Sequence, residues 1–532
     1  MAGAGRDPAG GSGALPDTFT SGGYGDATMT SAPRALRAAD GGPLDPEPII
    51  AALCAQFAVT TGAKRVARRR RLDTFDRRLL AAGLTLEHQS AASQERLMLG
   101  RTDGSTTVVV GVHDVRWPAP ADVLPTGPVR DAVAPVAGIR ALTVISDERR
   151  RVRRLELRNA EGKTVARVEL EESASKAAAP VCLTVHPLRG YDDQARRVTR
   201  LLIGFGLRLV ENGEPHPTDD VPSTVQSDRA VPASVLLTRV LTGFLVTMRA
   251  NLPGLLDDVD TEFLHDFRVA LRRTRSTLRL GRLVLPEEMR SRWEPAFKWV
   301  GDMTTPVRDL DVYELGLPMM AGWLVAAEPG DLDAFATHLR RRRTTDRHAL
   351  VRGLRSARFR RLDSEWEQAL ARLADMPDDM AREHLSAGQL ADRSISRAHE
   401  RVTRGGAAIS GDSPAEDLHS LRTRCKELRY ALEVFASVLD AGPRKRAVAE
   451  LEALQDVLGR FQDAEVQRQS LRAFAEEMMI GETPAAAMLA MGELIGHLDA
   501  EQDRARHNFD SAFTHFVRPS SSRRINRLGG AE

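Results

Sequence analysis

His265, Arg268, Arg272 and Arg275 stand three, four and three residues apart, a spacing that gathers cationic or titratable side chains on one helical face. At 100° per residue the arginines fall roughly 60°, 20° and 80° from the histidine, over a rise of about 15 Å. Leu264, Phe267, Leu271 and Leu278 fill the neighbouring arc. The cations therefore border a packed face and are expected to line a groove between helices. Crowded cations repel one another, and a polyvalent anion relieves that repulsion. Each guanidinium fork offers two parallel donors to phosphate oxygens. A neutral histidine donates one hydrogen bond and gains charge when phosphate raises its pKa.

The pattern returns 154 residues later as His419, Arg422, Lys426 and Arg429, with Leu418, Leu421, Cys425, Leu428 and Leu432 on the apolar arc. At the same offset Val307-Arg308-Asp309-Leu310-Asp311-Val312 falls in register with Phe461-Gln462-Asp463-Ala464-Glu465-Val466. Two matches at one offset indicate a duplicated unit. Such a row can also be a solvated basic face, or pair with carboxylates of neighbouring helices. Asp309, Asp311, Asp463 and Glu465 suit that pairing better than metal ligation, because no histidine or cysteine accompanies them at ligand spacing. Cys425, on the apolar arc, reads as a core residue. A second basic run, Arg340 to Arg343, Arg347, His348, Arg352, Arg355, Arg358, Arg360 and Arg361, forms a long helical stripe, either solvated or an auxiliary contact. His384, His399, His497, His507 and His515 stand singly and read as ordinary surface or core residues.

The rest of the chain must position these rows. Its 532 residues allow two or three domains. Lysine plus arginine (75) nearly cancels aspartate plus glutamate (73), so affinity for polyanions must come from local clusters. Cys54, Cys182 and Cys425 form no CxxC pair, which argues against a disulfide framework or zinc site and suits a reducing cytoplasm. No run of 18 apolar residues appears and the first residues lack a signal-peptide pattern, so no membrane association is expected.

Composition divides the chain. Residues 1–45 read as a disordered tail. Residues 46–210 read as an α+β, largely antiparallel domain, with strands at 106–110 and 141–145, a hairpin of 152–157 with 165–170 about Gly162, and a helix over 192–210. Residues 211–232 read as a linker and 519–532 as a second tail. Residues 233–518 carry helical periodicity throughout. They predict an all-α domain of eight to ten helices packed as two pseudo-repeated bundles, with turns at Pro286, Pro318, Pro329, Pro377, Gly411–Pro414, Gly442-Pro443 and Pro484.

Leu264-His265-Asp266-Phe267-Arg268 with Arg272 and Arg275, the Val307–Val312 segment, Leu418-His419-Ser420-Leu421-Arg422, Lys426-Glu427-Leu428-Arg429-Tyr430 and Leu454-Gln455-Asp456-Val457-Leu458-Gly459-Arg460 resemble the CHAD family over roughly 233–518. The resemblance implies a non-catalytic module of paired helical bundles. It implies a basic groove for inorganic polyphosphate, often on polyphosphate granules, that needs no cofactor. The residues it assigns to the ligand are His265, Arg268, Arg272, Arg275, Arg308, His419, Arg422, Lys426, Arg429 and Tyr430. Upstream, Arg71 to Leu86 and Pro187-Leu188-Arg189-Gly190-Tyr191 resemble segments of the CYTH family, the triphosphate-tunnel fold.

Catalytic CYTH domains open with an ExExK strand whose glutamates hold a divalent metal. No ExExK precedes Arg71, and Glu87-His88-Gln89 stands where an arginine pair is implied. Glu169, Glu171 and Glu172 remain on a candidate strand. A degenerate, inactive CYTH-like domain is therefore expected. Two other functions stay open: a metal-dependent triphosphatase or polyphosphatase, and nonspecific nucleic-acid binding through clustered arginine. Aromatics make up only 5% of the chain and scarcely interleave with the basic rows, which disfavours base stacking.

Overall fold

Alternating side chains build the first of two units, residues 1–138 with 142–219, and helical periodicity builds the second, 139–141 with 220–532. The computed structural model describes residues 34–39, 45–91, 94–102, 107–174, 181–209, 227–375 and 383–530. Most of both the first tail and the linker, together with Pro377, lies outside the described residues.

The first unit runs β1 (Arg34–Ala38), α1 (Pro46–Gln56), β2 (Ala58–Thr61), β3 (Arg65–Thr74), α2 (Arg78–Ala81), β4 (Leu84–Ala91), β5 (Gln94–Arg101), β6 (Thr107–Val112), β7 (Ala119–Pro120), α3 (Pro128–Ala137), β8 (Ala141–Arg158), β9 (Thr164–Ser173), β10 (Cys182–Pro187), α4 (Asp192–Gly204) and β11 (Leu207–Leu209). The strands form one sheet in the order β11-β1-β10-β9-β8-β3-β4-β5-β6, with β2 and β7 also on β8. Leu155, Leu157, Val168, Leu170, Leu183 and Val185 share a buried core with Ile49 and Leu53 of α1 and Val198 and Leu202 of α4. A second core joins Leu72, Leu86, Leu97 and Leu99 to Leu79 of α2 and Val133 of α3. The expected α+β antiparallel class is what forms.

Three boundaries differ from the sequence reading. Arg34–Ala38, counted with the first tail, is a strand paired to β10 and β11, with Leu36 and Ala38 buried. The expected strand at 141–145 and the first hairpin arm are one 18-residue strand, because β3 and β9 flank its charged middle and supply ladder partners. The helix expected to reach 210 ends at Gly204. Gly206 at φ +79 then turns the chain into β11, a conformation L-residues resist.

The second unit runs α5 (Ala233–Asp257), α6 (Thr261–Leu280), α7 (Glu287–Ala321), α8 (Asp333–Leu354), α9 (Ala357–Ala374), α10 (Ala387–Ala407), α11 (Ala415–Val434), α12 (Ala441–Met479), α13 (Ala485–Phe516) and α14 (Pro519–Leu528). The starts of α5, α6 and α7 recur 154 residues later as the starts of α10, α11 and α12, so the duplication governs whole helices. The helices form the two expected bundles over a shared core that includes Phe267, Phe297, Trp366, Leu421, Leu428 and Phe461. By length and composition α5 could cross a membrane, yet its Leu236, Leu237, Leu241 and Leu245 are buried in this core.

Pro318 marks no turn, for α7 continues to Ala321. Gly442-Pro443 lies in the first turn of α12, where a missing N–H costs no intrahelical bond. The basic stripe at 340–361 is broken between α8 and α9, at Arg355 and Ser356. Residues 519–528, expected as tail, form α14: Ser521, Ile525 and Leu528, at i, i+4 and i+7, are buried.

Candidate anion-binding site

The two basic rows lie on α6 and α11. Asp260 caps α6, its carboxylate accepting from the Glu262 and Phe263 amides at 2.9 and 3.2 Å. Gly254 lets α5 approach closely, since a Cβ there would stand 2.4 Å from the Phe263 ring. Leu264, Phe267, Leu271 and Leu278 of α6, like Leu418, Leu421, Cys425, Leu428 and Leu432 of α11, are buried as their arc predicts. Burial pushes the Cys425 thiol up to about 12, which suits a core residue.

An open cavity of about 780 Å³ lies between α6, α11 and α12. Six of the ten residues assigned from the sequence line it: His265, Arg272, Arg422, Lys426, Arg429 and Tyr430. Arg268, Arg275, Arg308 and His419 are not among its lining residues. The repeat explains part of this asymmetry. Arg268 Nη1 donates to Thr304 Oγ1 at 2.7 Å and Thr305 Oγ1 at 2.9 Å on α7, which holds it against its neighbour helix. The corresponding positions in the second copy are Leu458 and Gly459. Neither offers a hydroxyl, so Arg422 reaches the cavity, with Asp463 at 3.1 Å as its ion-pair partner. His419 turns to Gln462, Nδ1 to Oε1 2.9 Å. Arg308 and Arg275 are partly buried, each with one guanidinium nitrogen that finds no partner among the described residues.

Positive potential dominates the cavity. Burial, then Arg422 and Arg272, push the Lys426 ammonium down to about 8, against the opposing pull of Asp463. The His265 imidazole is likewise lowered, first by burial and then by Arg308. The Arg272 guanidinium lies 5.8 Å from the Tyr430 ring centroid, within cation–π range. Glu433 neutralises part of the charge, accepting from Arg429 at 2.8 Å and pairing with Arg273 at 2.9 Å. Arg460, adjacent to Gly459 on α12, also lines the cavity and was missed as a ligand residue. Its position four residues after Asp456 and three before Asp463, on one helical face with both, was the available signal.

Three of the four acids pair with cations. Asp463 pairs with Arg422, Glu465 with Arg468, and buried Asp311 accepts from Arg343 Nε at 2.6 Å. Asp309 stands near Arg268 and Arg308, and burial raises its carboxyl pKa. Among the described residues no group of three or more His, Cys, Asp or Glu could hold a metal ion. The 340–361 stripe is largely committed to internal contacts. Arg342 reaches Glu477 at 2.6 Å, Arg347 reaches Asp258 at 2.9 Å, and Arg358 lies 4.0 Å from the Trp299 ring centroid.

In the sheet unit, Leu36 and Ala38 of the opening strand face the core, so Ala35 and Arg37 face the opposite side. Arg37 pairs in register with Cys182, itself opposite Glu171. That face thus carries Glu169 and Glu171 without any glutamate from the opening strand. Arg69 pairs with Glu171 and lies 3.5 Å from Glu87. Glu169 contacts His186 at 3.3 Å and Arg154 at 3.2 Å, and chiefly the His186 hydrogen bond holds its carboxyl down at about 2.

A duplicated all-helical module whose cations converge on one cavity is the class that this geometry defines. Residues 239–472, within the helical unit, match the family model of the CHAD domain. No curated protein matches the chain. Among solved structures, the CHAD domain from the plant Ricinus communis is 24% identical, covering 56% of this chain and 96% of its own, with a TM-score of 0.46. PptA from Streptomyces chartreusis is 20% identical over 53% of this chain and 99% of its own, with a TM-score of 0.41. The sheet unit is similar to HpAC1 from Hippeastrum, a protein described as having a dominant triphosphatase activity. That match is 14% identical over 34% of this chain and 91% of the other, with a TM-score of 0.25.

Proposed function

We propose that the helical unit binds inorganic polyphosphate in the cavity between α6, α11 and α12. One observation carries this reading: both copies of the repeat deliver cations to one open cavity, Arg272 from the first and Arg422, Lys426 and Arg429 from the second. Burial first, then repulsion from Arg422 and Arg272, lowers the Lys426 ammonium. A chain of phosphates would offset that repulsion, with guanidinium forks and the lysine donating to successive oxygens. The cellular use this implies is association with polyphosphate granules in the cytoplasm. The sheet unit acts without metal-dependent hydrolysis in this reading. Its opening strand offers Ala35 and Arg37 in place of carboxylates, and the remaining Glu169 and Glu171 are paired with cations.

Lys426 supplies a test by pH. Free, it loses its proton near 8, and a bound polyanion raises that value, so binding takes up a proton in this range. Affinity is therefore full below about pH 8 and falls as pH rises through it. Loss of one charge-assisted contact, about 1.5–3 kcal/mol, predicts a fall of roughly 10- to 100-fold between pH 7 and pH 9.5. Lys426→Arg stays charged and should flatten that profile, as read by calorimetric titration at each pH. An equally steep fall in the variant would remove Lys426 from the site.

A further inference from the structure

A second open cavity, about 700 Å³, is lined by the C-terminal end of α6, the start of α7, α10 and part of α11. The 154-residue repeat maps it onto a third cavity of about 810 Å³. The duplicated fold therefore creates the concavity in both copies. The charge is not duplicated. Of its six arginines, Arg282 corresponds to Ala436, Arg397 to Gly243, Arg401 to Thr247 and Arg279 to Glu433, while Arg290 meets Arg444 and Arg393 meets Arg239. At four of the six positions one copy thus has a guanidinium group where the other has a small, neutral or acidic residue.

Three carboxylates, Glu294, Glu383 and Glu427, line the cavity beside six arginines, and Glu294 Oε1 has no hydrogen-bond partner among the described residues. Glu427 pairs with Arg401 at 2.6 Å and Glu383 with Arg393 at 2.8 Å. Arg282 and Arg397, both exposed, have no ion-pair partner among the described residues. Exposed guanidinium groups without carboxylate partners on one concave surface leave their donors and charge available to an anion.

We propose that this cavity is a second anion site, which takes a short inorganic oligophosphate through Arg282 and Arg397. Several phosphate oxygens on one small ligand match several guanidinium forks better than a single carboxylate can. The site stands on its own lining and not on the polyphosphate reading of the first cavity. The two linings meet at Tyr430.

The test is calorimetric titration of the full chain with tripolyphosphate at near-physiological salt, with circular dichroism confirming each variant's fold. Wild type should show two sites. Arg282→Ala with Arg397→Ala should reduce the stoichiometry from two to one and leave the remaining affinity within about twofold. Arg272→Ala with Arg422→Ala should remove the other site. Survival of every wild-type site, whether one or two, in Arg282→Ala with Arg397→Ala would overturn the proposal. So would displacement of tripolyphosphate from this site by an equimolar acidic peptide. Retention of two sites by Arg272→Ala with Arg422→Ala would count against the first cavity, while the Arg282 and Arg397 result decides the second.

Discussion

Arg272→Ala combined with Arg422→Ala is expected to weaken binding of long-chain polyphosphate by roughly 10² to 10⁴-fold. Each lost charge-assisted contact costs about 1.5–3 kcal/mol, and every 1.4 kcal/mol is tenfold. Both residues line the cavity, one from each copy of the repeat. Arg272 is exposed and Arg422 pairs, among the described residues, with the exposed Asp463, so the variant should keep its helical circular dichroism. Arg268→Ala makes the informative contrast. From the sequence, Arg268 and Arg422 are equivalent members of their rows. In the structure Arg268 is held by Thr304 and Thr305, so its loss should cost about 1–2 kcal/mol of stability and little affinity. A folded Arg272→Ala, Arg422→Ala protein with unchanged affinity would move the ligand elsewhere.

Arg343→Met should destabilise the helical unit by about 3–5 kcal/mol, because it strands a buried carboxylate. Asp311 is fully buried, its Oδ1 accepts from Arg343 Nε at 2.6 Å, and its Oδ2 has no partner among the described residues. The same guanidinium reaches Asp258 through Nη1 and Nη2 at 2.9 and 2.8 Å, tying α8 to the end of α5 as well as to α7. Replacing both partners, Arg343→Met with Asp311→Leu, should recover much of the loss, since an apolar pair leaves no unpaired charge. Urea unfolding followed by helical circular dichroism reads both. A loss below about 1 kcal/mol in the single variant would mean that water or another group already serves Asp311.

The duplicated framework was legible because it recurs as spacing. The offset that aligns His265 with His419 also aligns the starts of three helices in each copy. The apolar arcs of α6 and α11 were legible for the same reason, since 3.6-residue periodicity decides which face is buried. The cavity was only partly legible. Equal spacing cannot tell a cation captured by a neighbouring helix from one left facing a groove, and Thr304 and Thr305 against Leu458 and Gly459 decide that for Arg268 and Arg422. Arg460 was hidden because it belongs to no repeated row: its counterpart is Pro306. In the sheet unit the short strands β1 and β11 carry too few residues to show a period, and the charged middle of β8 hides a strand that its neighbours hold in place.

The most direct test of the central claim is calorimetric titration of the purified chain with long-chain polyphosphate at near-physiological salt, metal-free and again with magnesium. Tight, saturable binding that is independent of the metal, leaves the polymer at full length and resists excess RNA is the predicted result. Weak binding, equal displacement by RNA, or metal-dependent shortening of the polymer would contradict it.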